Sequence, residues 1–150
     1  MNRIKHTATF EIGHPAQELF PLFSPEGEKL WVPGWDYENV MGGTELHEDY
    51  LFITRSHDHA ASDAVWVVKR YQPEEYRVQF YKVEPGQKVG VVDVQCFEEG
   101  EGSTRVQVSY EYIGLSPEGD AFIEGFDEAG YRAFIGEWKV LLDRYLASVR

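Results

Sequence analysis

Glu137 is the residue whose type and position most suggest chemistry in this chain of 150 residues. At 100° per residue along a helix, it falls inside an otherwise apolar stripe with Ala133, Phe134 and Leu141. A carboxylate that faces a core must be paired, neutral or functional. Glu137 is therefore the candidate catalytic residue, as a proton shuttle. The alternative is an edge position at which the side chain reaches water or Arg144.

The segment His57-Asp58-His59 carries a second pattern with chemical meaning. Residues two apart on a strand share a face, so the two imidazoles could converge on a metal, with His47 and Asp49 only a loop away. A zinc site needs a third and usually a fourth ligand, and the segment runs into the polar turn 60–63. A solvated turn is the better interpretation. The sequence therefore predicts no metal and no cofactor.

Patterns of apolar residues predict one α+β domain over residues 1–150. Residues 4–12 alternate as a half-buried strand, and two helical pieces follow that Pro21 and Pro25 keep short. The rest of the predicted sheet is a meander of antiparallel neighbours joined by short turns. Its strand candidates are residues 35–41, 50–57, 63–71, 76–83, 88–97 and 105–113. The inward faces of 50–57 and 63–71 stay open, because both faces carry bulky apolar residues.

A long C-terminal helix closes the chain. Ser116 can cap it and Pro117 suits its first position, so one uninterrupted helix is predicted from about Pro117 to Ser148. Gly130 leaves room on the packing face, for a strand or for a ligand. The apolar stripe of this helix must pack on the open face of the sheet. Its members are Phe122, Ile123, Phe126, Gly130, Ala133, Phe134, Trp138, Leu141 and Tyr145.

Composition excludes several classes of partner. The net charge of −12 disfavours binding to nucleic acid or to an anionic membrane surface. No stretch approaches the roughly 20 apolar residues of a membrane span, and no signal peptide is recognised, so a cytoplasmic protein is expected. Cys96 has no second cysteine to pair with inside the chain. A monomer or a homodimer is expected.

The order of strand, short helices, strand meander and long C-terminal helix resembles that of the START-like or Bet v 1-like superfamily, also called SRPBCC. Residues 10–20 are similar to the family's strand-Ala-Pro-helix opening, with His14 where a small residue is usual, and residues 116–122 lead into the last helix. The segment 31–36 (Trp-Val-Pro-Gly-Trp-Asp) resembles a polyketide cyclase-like bacterial subgroup. The resemblance implies a helix-grip fold, a curved antiparallel sheet of six or seven strands around the long helix.

In such folds a ligand pocket lies between the long helix and the concave sheet. Aromatic residues make up 15% of the chain, and rings commonly line such pockets. The two indoles of Trp31 and Trp35 form either a rim at the pocket mouth or a plug in the core. The residues predicted to contact a ligand are Trp31, Trp35, Phe52, Trp66, Phe80, Tyr110, Tyr112, Phe126, Gly130, Phe134, Glu137 and Trp138.

The first hypothesis is intracellular binding or transport of a small hydrophobic molecule, lipid-like or polyketide-like, in a cavity of a few hundred Å³. The second is a cyclase or dehydratase that uses a pocket acid such as Glu137. The third is a chaperone-linked interaction domain with a filled core. The resemblance does not choose among them, because one fold supports many functions.

Overall fold

A computed structural model describes residues 2–55 and 62–149. Within these ranges the chain forms one seven-stranded antiparallel sheet in the order β1-β7-β6-β5-β4-β3-β2. The strands are β1 Arg3–Ile12, β2 Glu38–Asn39, β3 Leu51–Thr54, β4 Ala64–Gln72, β5 Arg77–Glu84, β6 Lys88–Glu98 and β7 Thr104–Gly114. The predicted metal pair His57-Asp58-His59 lies outside the described residues.

Four α-helices complete the described fold. Two short ones follow β1, namely α1 Ala16–Leu19 and α2 Pro25–Glu28, and two follow β7, namely α3 Pro117–Gly125 and α4 Glu128–Ser148. The prediction of a curved antiparallel sheet with short helices after the first strand and a long C-terminal helix is confirmed. Over residues 2–55 and 62–149, no helix has both the length and the apolar character needed to cross a membrane.

Alternation along the strands creates the concave face on which the core is built. In β6, Val92, Val94 and Cys96 are buried while their neighbours are partly exposed, and β7 alternates in the same way. Burial raises the pKa of the Cys96 thiol to about 12, so this cysteine is an inert core residue. The open question about β3 and β4 is answered by their cross-strand pair, because Phe52 and Trp66 stack on the concave side.

The C-terminal helical segment is broken at Phe126 and Asp127, so the prediction of one uninterrupted helix from Pro117 to Ser148 is wrong. The Asp127 carboxylate accepts a hydrogen bond from the Gly130 N–H at 2.7 Å and caps a new helix. The freed carbonyl of Phe126 accepts a hydrogen bond from His6 Nε2 at 2.7 Å. A weak helix former at Gly125 followed by a strong N-cap residue explains the break.

The break also resets the helical phase of α4. Its buried residues are Tyr131, Ile135, Leu142 and Leu146, one position beyond the centre of the predicted stripe. The helix therefore packs on a face rotated by roughly 100° from the residues expected to be innermost near its start. Trp138 and Leu141 stay half-buried on the common flank of the two faces.

Candidate functional site

A small enclosed void lies between the concave sheet, α2 and α4. Eleven residues line it, and seven of them carry aromatic rings. Its volume is about 20 Å³, so the predicted cavity of a few hundred Å³ is wrong for this structure. That space suits about one water molecule. The lining residues are Phe23, Pro25, Glu28, Trp35, Phe52, Trp66, Phe80, Val92, Val94, Tyr110 and Trp138.

Glu28 supplies the only carboxyl group in this lining. Its helix, α2, starts at Pro25 and is capped by Ser24 Oγ, which accepts a hydrogen bond from the Gly27 N–H at 2.9 Å. The residue is half-buried, and burial raises the pKa of its carboxyl group to about 8. No described side chain or backbone N–H forms a hydrogen bond with this carboxyl group. A desolvated acid with no partner is costly, so Glu28 needs an explanation.

Tyr110 places a hydroxyl group in the same void. The residue lies on β7 and is only 7% exposed, and its hydroxyl has no hydrogen-bond partner among the described residues. Burial, together with Tyr112 and Glu28, raises its pKa well above the ordinary value. Tyr131 next to it is different, because its hydroxyl donates to the Val108 carbonyl at 2.6 Å. Two polar groups with unused hydrogen-bonding capacity therefore face one void.

Two indoles fix the segment that covers the void. Trp31 Nε1 donates to the Leu22 carbonyl and Trp35 Nε1 donates to the Pro25 carbonyl, both at 2.8 Å. Trp31 is 5% exposed and packs edge-on against Trp138, with ring centroids 5.7 Å apart. Trp35 is half-buried and lines the void. Each of the two alternatives for this pair therefore describes one residue. Trp31 fills the end of the core, and Trp35 forms part of the edge of the void.

Three rings from neighbouring strands form the wall opposite α4. Phe52 stacks on Trp66 with centroids 5.6 Å apart, and Phe80 meets both rings edge-on at 6.2 Å and 6.0 Å. Trp138 closes the helix side and contacts Tyr110 at 6.4 Å. Six of the twelve residues predicted to contact a ligand thus line the void, namely Trp35, Phe52, Trp66, Phe80, Tyr110 and Trp138.

The other predicted residues lie elsewhere. Tyr112 and Phe126 pack against each other at 5.1 Å, beyond the void lining, near α3. Gly130, Phe134 and Glu137 are exposed, Phe134 to 46%, so the prediction that they face the pocket is wrong. The cause is the reset phase of α4. Gly130 is explained by the cap instead, because a Cβ there would lie 2.9 Å from Asp127 Oδ1.

Sequence reasoning missed Glu28 altogether. α2 has four residues, so it shows no helical periodicity, and the acid lies between the polar neighbours Glu26 and Lys29. The sequence feature that could have indicated Glu28 is the pair of short helices bounded by prolines. In a fold of one sheet and one long helix, such short helices cover one end of the core. A carboxyl group on such a cover points either to water or into the core, and the sequence alone does not choose.

A second buried polar cluster lies under α3. Glu84 and Lys88 form an ion pair at 3.1 Å with both side chains at most 7% exposed, and Ser62 Oγ donates to Glu84 at 2.9 Å. The Lys88 ammonium lies 3.9 Å from the centroid of the Phe122 ring. Nearby, burial lowers the pKa of Lys82, whose ammonium lies over Trp66. Glu84 Oε2 has the Lys88 ammonium as its ion-pair partner but no hydrogen bond among the described residues. The contact between Lys88 and Phe122 attaches α3 to the sheet.

An open groove lies outside both the void and the Glu84 cluster. It has a volume of about 370 Å³ and runs between β1 and α4, past Thr7, Thr9, Arg132 and Gly136. Thr7 already bonds Ser109 at 2.8 Å, and the groove is open to solvent. No group of three or more His, Cys, Asp or Glu side chains in residues 2–55 and 62–149 has the arrangement of a metal site. The void at Glu28 is therefore the candidate site.

Several solved structures are similar to this fold. A norcoclaurine synthase from Thalictrum flavum, in complex with dopamine and hydroxybenzaldehyde, matches with a TM-score of 0.71 at 14% identity, over 99% of this chain and 89% of that one. Ginseng major latex-like protein 151 from Panax ginseng matches with a TM-score of 0.69 at 20% identity, over 97% of each chain. Protein MLL2253 from Mesorhizobium loti matches with a TM-score of 0.60 at 17% identity, over 93% and 98%.

The chain has the Bet v 1-like helix-grip fold. At these identities the likeness concerns the fold, and it confirms the predicted resemblance at that level. No protein-family model matches the chain, and no curated protein is significantly similar to it. In this Bet v 1-like chain, the void at Glu28 lies between the concave sheet and the C-terminal helix, which is where the resemblance predicted a pocket.

Proposed function

We propose that this protein binds a small, mainly apolar molecule in the void at Glu28. One observation carries the proposal: the Glu28 carboxyl and the Tyr110 hydroxyl have no hydrogen-bond partner among the described residues, in a site otherwise lined by rings and aliphatic groups. A few polar groups in an apolar concavity are typical of small-molecule sites. A structural role does not explain the carboxyl group, because withdrawing an acid from water without giving it a partner lowers stability.

Ligand entry requires the cover of the void to move outward. We define the cover as α2 together with Trp35. The hydrogen bond from Trp35 Nε1 to the Pro25 carbonyl joins the two parts of the cover, and Trp31, which follows α2, packs against Trp138 of α4. A void of about 20 Å³ would then enlarge to the size of the guest. The norcoclaurine synthase structure, with dopamine and hydroxybenzaldehyde bound, supports the view that this fold accommodates small aromatic molecules.

Fluorescence titration with the neutral probe N-phenyl-1-naphthylamine tests the proposal. Trp35, Trp66 and Trp138 line the void, so binding should quench tryptophan emission and saturate near one probe per chain. Val92→Phe, which fills the void, should abolish saturable binding. Val91→Phe is the matched control, because Val91 is the adjacent residue on the opposite face of β6 and should leave binding unchanged.

Circular dichroism should show that both valine variants are folded, although overpacking at Val92 is expected to cost about 1–3 kcal/mol of stability. Absence of saturable uptake by the folded wild-type protein would contradict the proposal. Equal uptake by the Val92→Phe variant would place the probe elsewhere and would also contradict it.

The pKa of Glu28 favours an acid–base enzyme as a second candidate function. A carboxyl group with a pKa of about 8 can donate or accept a proton near neutral pH, and it shares the void with a phenol. A cyclase or dehydratase that acts on a polyketide-like substrate would use Glu28 in the role that the sequence suggested for Glu137. Glu28→Gln should then abolish turnover and retain affinity for an uncharged substrate.

A further inference from the structure

We propose that the site at Glu28 selects organic cations, that is, ammonium groups attached to an aromatic or apolar body. This inference rests on the proposed function and specifies its ligand class. The void combines one carboxyl group, one phenol hydroxyl and seven aromatic rings. Aromatic rings attract cations through the negative potential of their faces, and quaternary ammonium ligands are commonly held in aromatic cages.

The charges that surround Glu28 support a cationic guest. Among the residues that the structure describes, Tyr110 is the only other titratable group in the lining of the void. Glu26 and Lys29 on the same side lie 3.4 Å apart and pair with each other, and Glu26 also accepts a hydrogen bond from Tyr37. The Lys82 ammonium on β5 lies over the Trp66 ring, and Lys82 does not line the void. No described cation therefore neutralises an ionised Glu28.

A cationic guest would supply the missing partner of Glu28. Its positive charge favours the ionised carboxylate, and an N–H of a primary or secondary ammonium could also bond Tyr110. In the empty protein Glu28 holds a proton at neutral pH, because its pKa is about 8. Binding of a cation therefore displaces that proton, so affinity and pH are linked. An uncharged guest displaces no proton and shows no such linkage.

Two probes of the same shape separate charge from apolar fit. Phenyltrimethylammonium carries a permanent positive charge, and tert-butylbenzene is its uncharged carbon isostere. For phenyltrimethylammonium we expect the affinity to rise about tenfold per pH unit from pH 6 towards 8 and then to level off, since only the ionised carboxylate holds the cation. The affinity for tert-butylbenzene should be the same at each pH.

Calorimetry in buffers of different ionisation enthalpy gives an independent readout. At pH 7, phenyltrimethylammonium should release about one proton per molecule bound, because nearly all Glu28 is protonated beforehand. Glu28→Gln should abolish the proton release and the pH dependence, and should weaken binding of the cation at pH 9 at least about tenfold. It should leave the affinity for tert-butylbenzene within about twofold.

Glu18→Gln is the matched control for net charge. Glu18 lies on the neighbouring helix α1 with its side chain 63% exposed, so its loss removes the same formal charge without touching the void. It should leave the tenfold-per-unit pH dependence intact. Tyr110→Phe, which removes only a hydroxyl, should leave the affinities for both probes within about twofold and should keep the pH dependence, because neither probe forms a hydrogen bond.

The outcomes distinguish this inference from the function on which it rests. Uptake of both probes with equal, pH-independent affinity would overturn selection for cations and leave apolar binding standing. A preference for the cation that survives Glu28→Gln would also overturn the inference. If the folded protein takes up neither probe at any pH between 6 and 9, nor N-phenyl-1-naphthylamine, then both the inference and the proposed function fail.

Discussion

Glu28 and Glu84 are both carboxyl groups withdrawn from water, and the protein treats them in opposite ways. Glu84 has an ammonium at 3.1 Å and a serine hydroxyl at 2.9 Å. Glu28 has neither, and burial alone raises its pKa to about 8. A buried charge with partners stabilises an element, here α3 against the sheet. A buried acid without partners costs stability, and its retention points to a guest that supplies the partner.

Breaking the Glu84 pair should have the largest effect on stability. Glu84→Gln leaves the Lys88 ammonium buried without its counter-charge, so we expect a loss of about 3–5 kcal/mol in the free energy of unfolding. Urea denaturation at pH 7 measures it. The double variant Glu84→Leu/Lys88→Met should lose less than Glu84→Gln alone, because it leaves no buried charge. A loss below about 1 kcal/mol for Glu84→Gln would remove the contrast with Glu28.

Glu28→Gln should act in the opposite direction and depend on pH. Folding raises the pKa of Glu28 from about 4.5 to about 8. The contribution of this group to the free energy of unfolding is therefore fully present below about pH 4.5 and is lost as the pH rises through about 8. At pH 9 the glutamine variant should therefore be more stable than wild type by about 2–4 kcal/mol, since each pKa unit corresponds to about 1.4 kcal/mol and a buried amide costs part of the gain. Urea denaturation of both proteins at pH 4 and pH 9 gives this difference. A variant less stable than wild type at pH 9 would show that Glu28 has a structural partner.

Asp127 is a third carboxylate, whose only partner here is a backbone N–H. Asp127→Ala removes the cap of α4 and should cost about 1 kcal/mol in thermal or urea unfolding. Gly130→Ala should not give the usual gain of about 1 kcal/mol for a helical glycine, because its Cβ would crowd Asp127 Oδ1. In the Asp127→Ala background the same change should stabilise. Additive effects of the two substitutions would contradict the coupling.

Glu137 is the fourth carboxylate of this comparison. It is exposed, so its substitution should have the smallest effect on stability and binding. Glu137→Gln is expected to change the free energy of unfolding by less than about 0.5 kcal/mol and to leave probe binding unchanged. Titration with N-phenyl-1-naphthylamine, beside urea denaturation, checks both statements. A marked loss of binding would restore the sequence-based view that this residue faces the ligand.

Local patterns were sufficient to predict most of the architecture. The alternation in β6 and β7 and the Ser116-Pro117 start of α3 followed from period and capping alone. The strand residues of the site, such as Phe80 and Tyr110, could be predicted because a strand has only two faces. The face of α4 could not, because one cap at Asp127 shifts every later residue around the helix.

Glu28 and the size of the void depend on tertiary packing that no sequence period encodes. A four-residue helix has no periodicity from which the direction of its carboxyl group could be inferred. The volume is set by how seven rings from separate strands, loops and α4 interlock, and the aromatic content alone suggested a larger space. The ring-rich composition agrees with the aromatic lining of the void, but it suggested a volume that is too large.

A carbon-detected NMR titration of the Glu28 side-chain carboxyl tests the central claim most directly. The structure predicts an apparent pKa of about 8 for the empty protein. Saturating phenyltrimethylammonium should lower that pKa by more than about two units, because the bound cation favours the carboxylate. An apparent pKa near 4.5 in the empty protein would show that the carboxyl group is solvated or paired. It would contradict the account of Glu28 as the unpartnered acid of a ligand site.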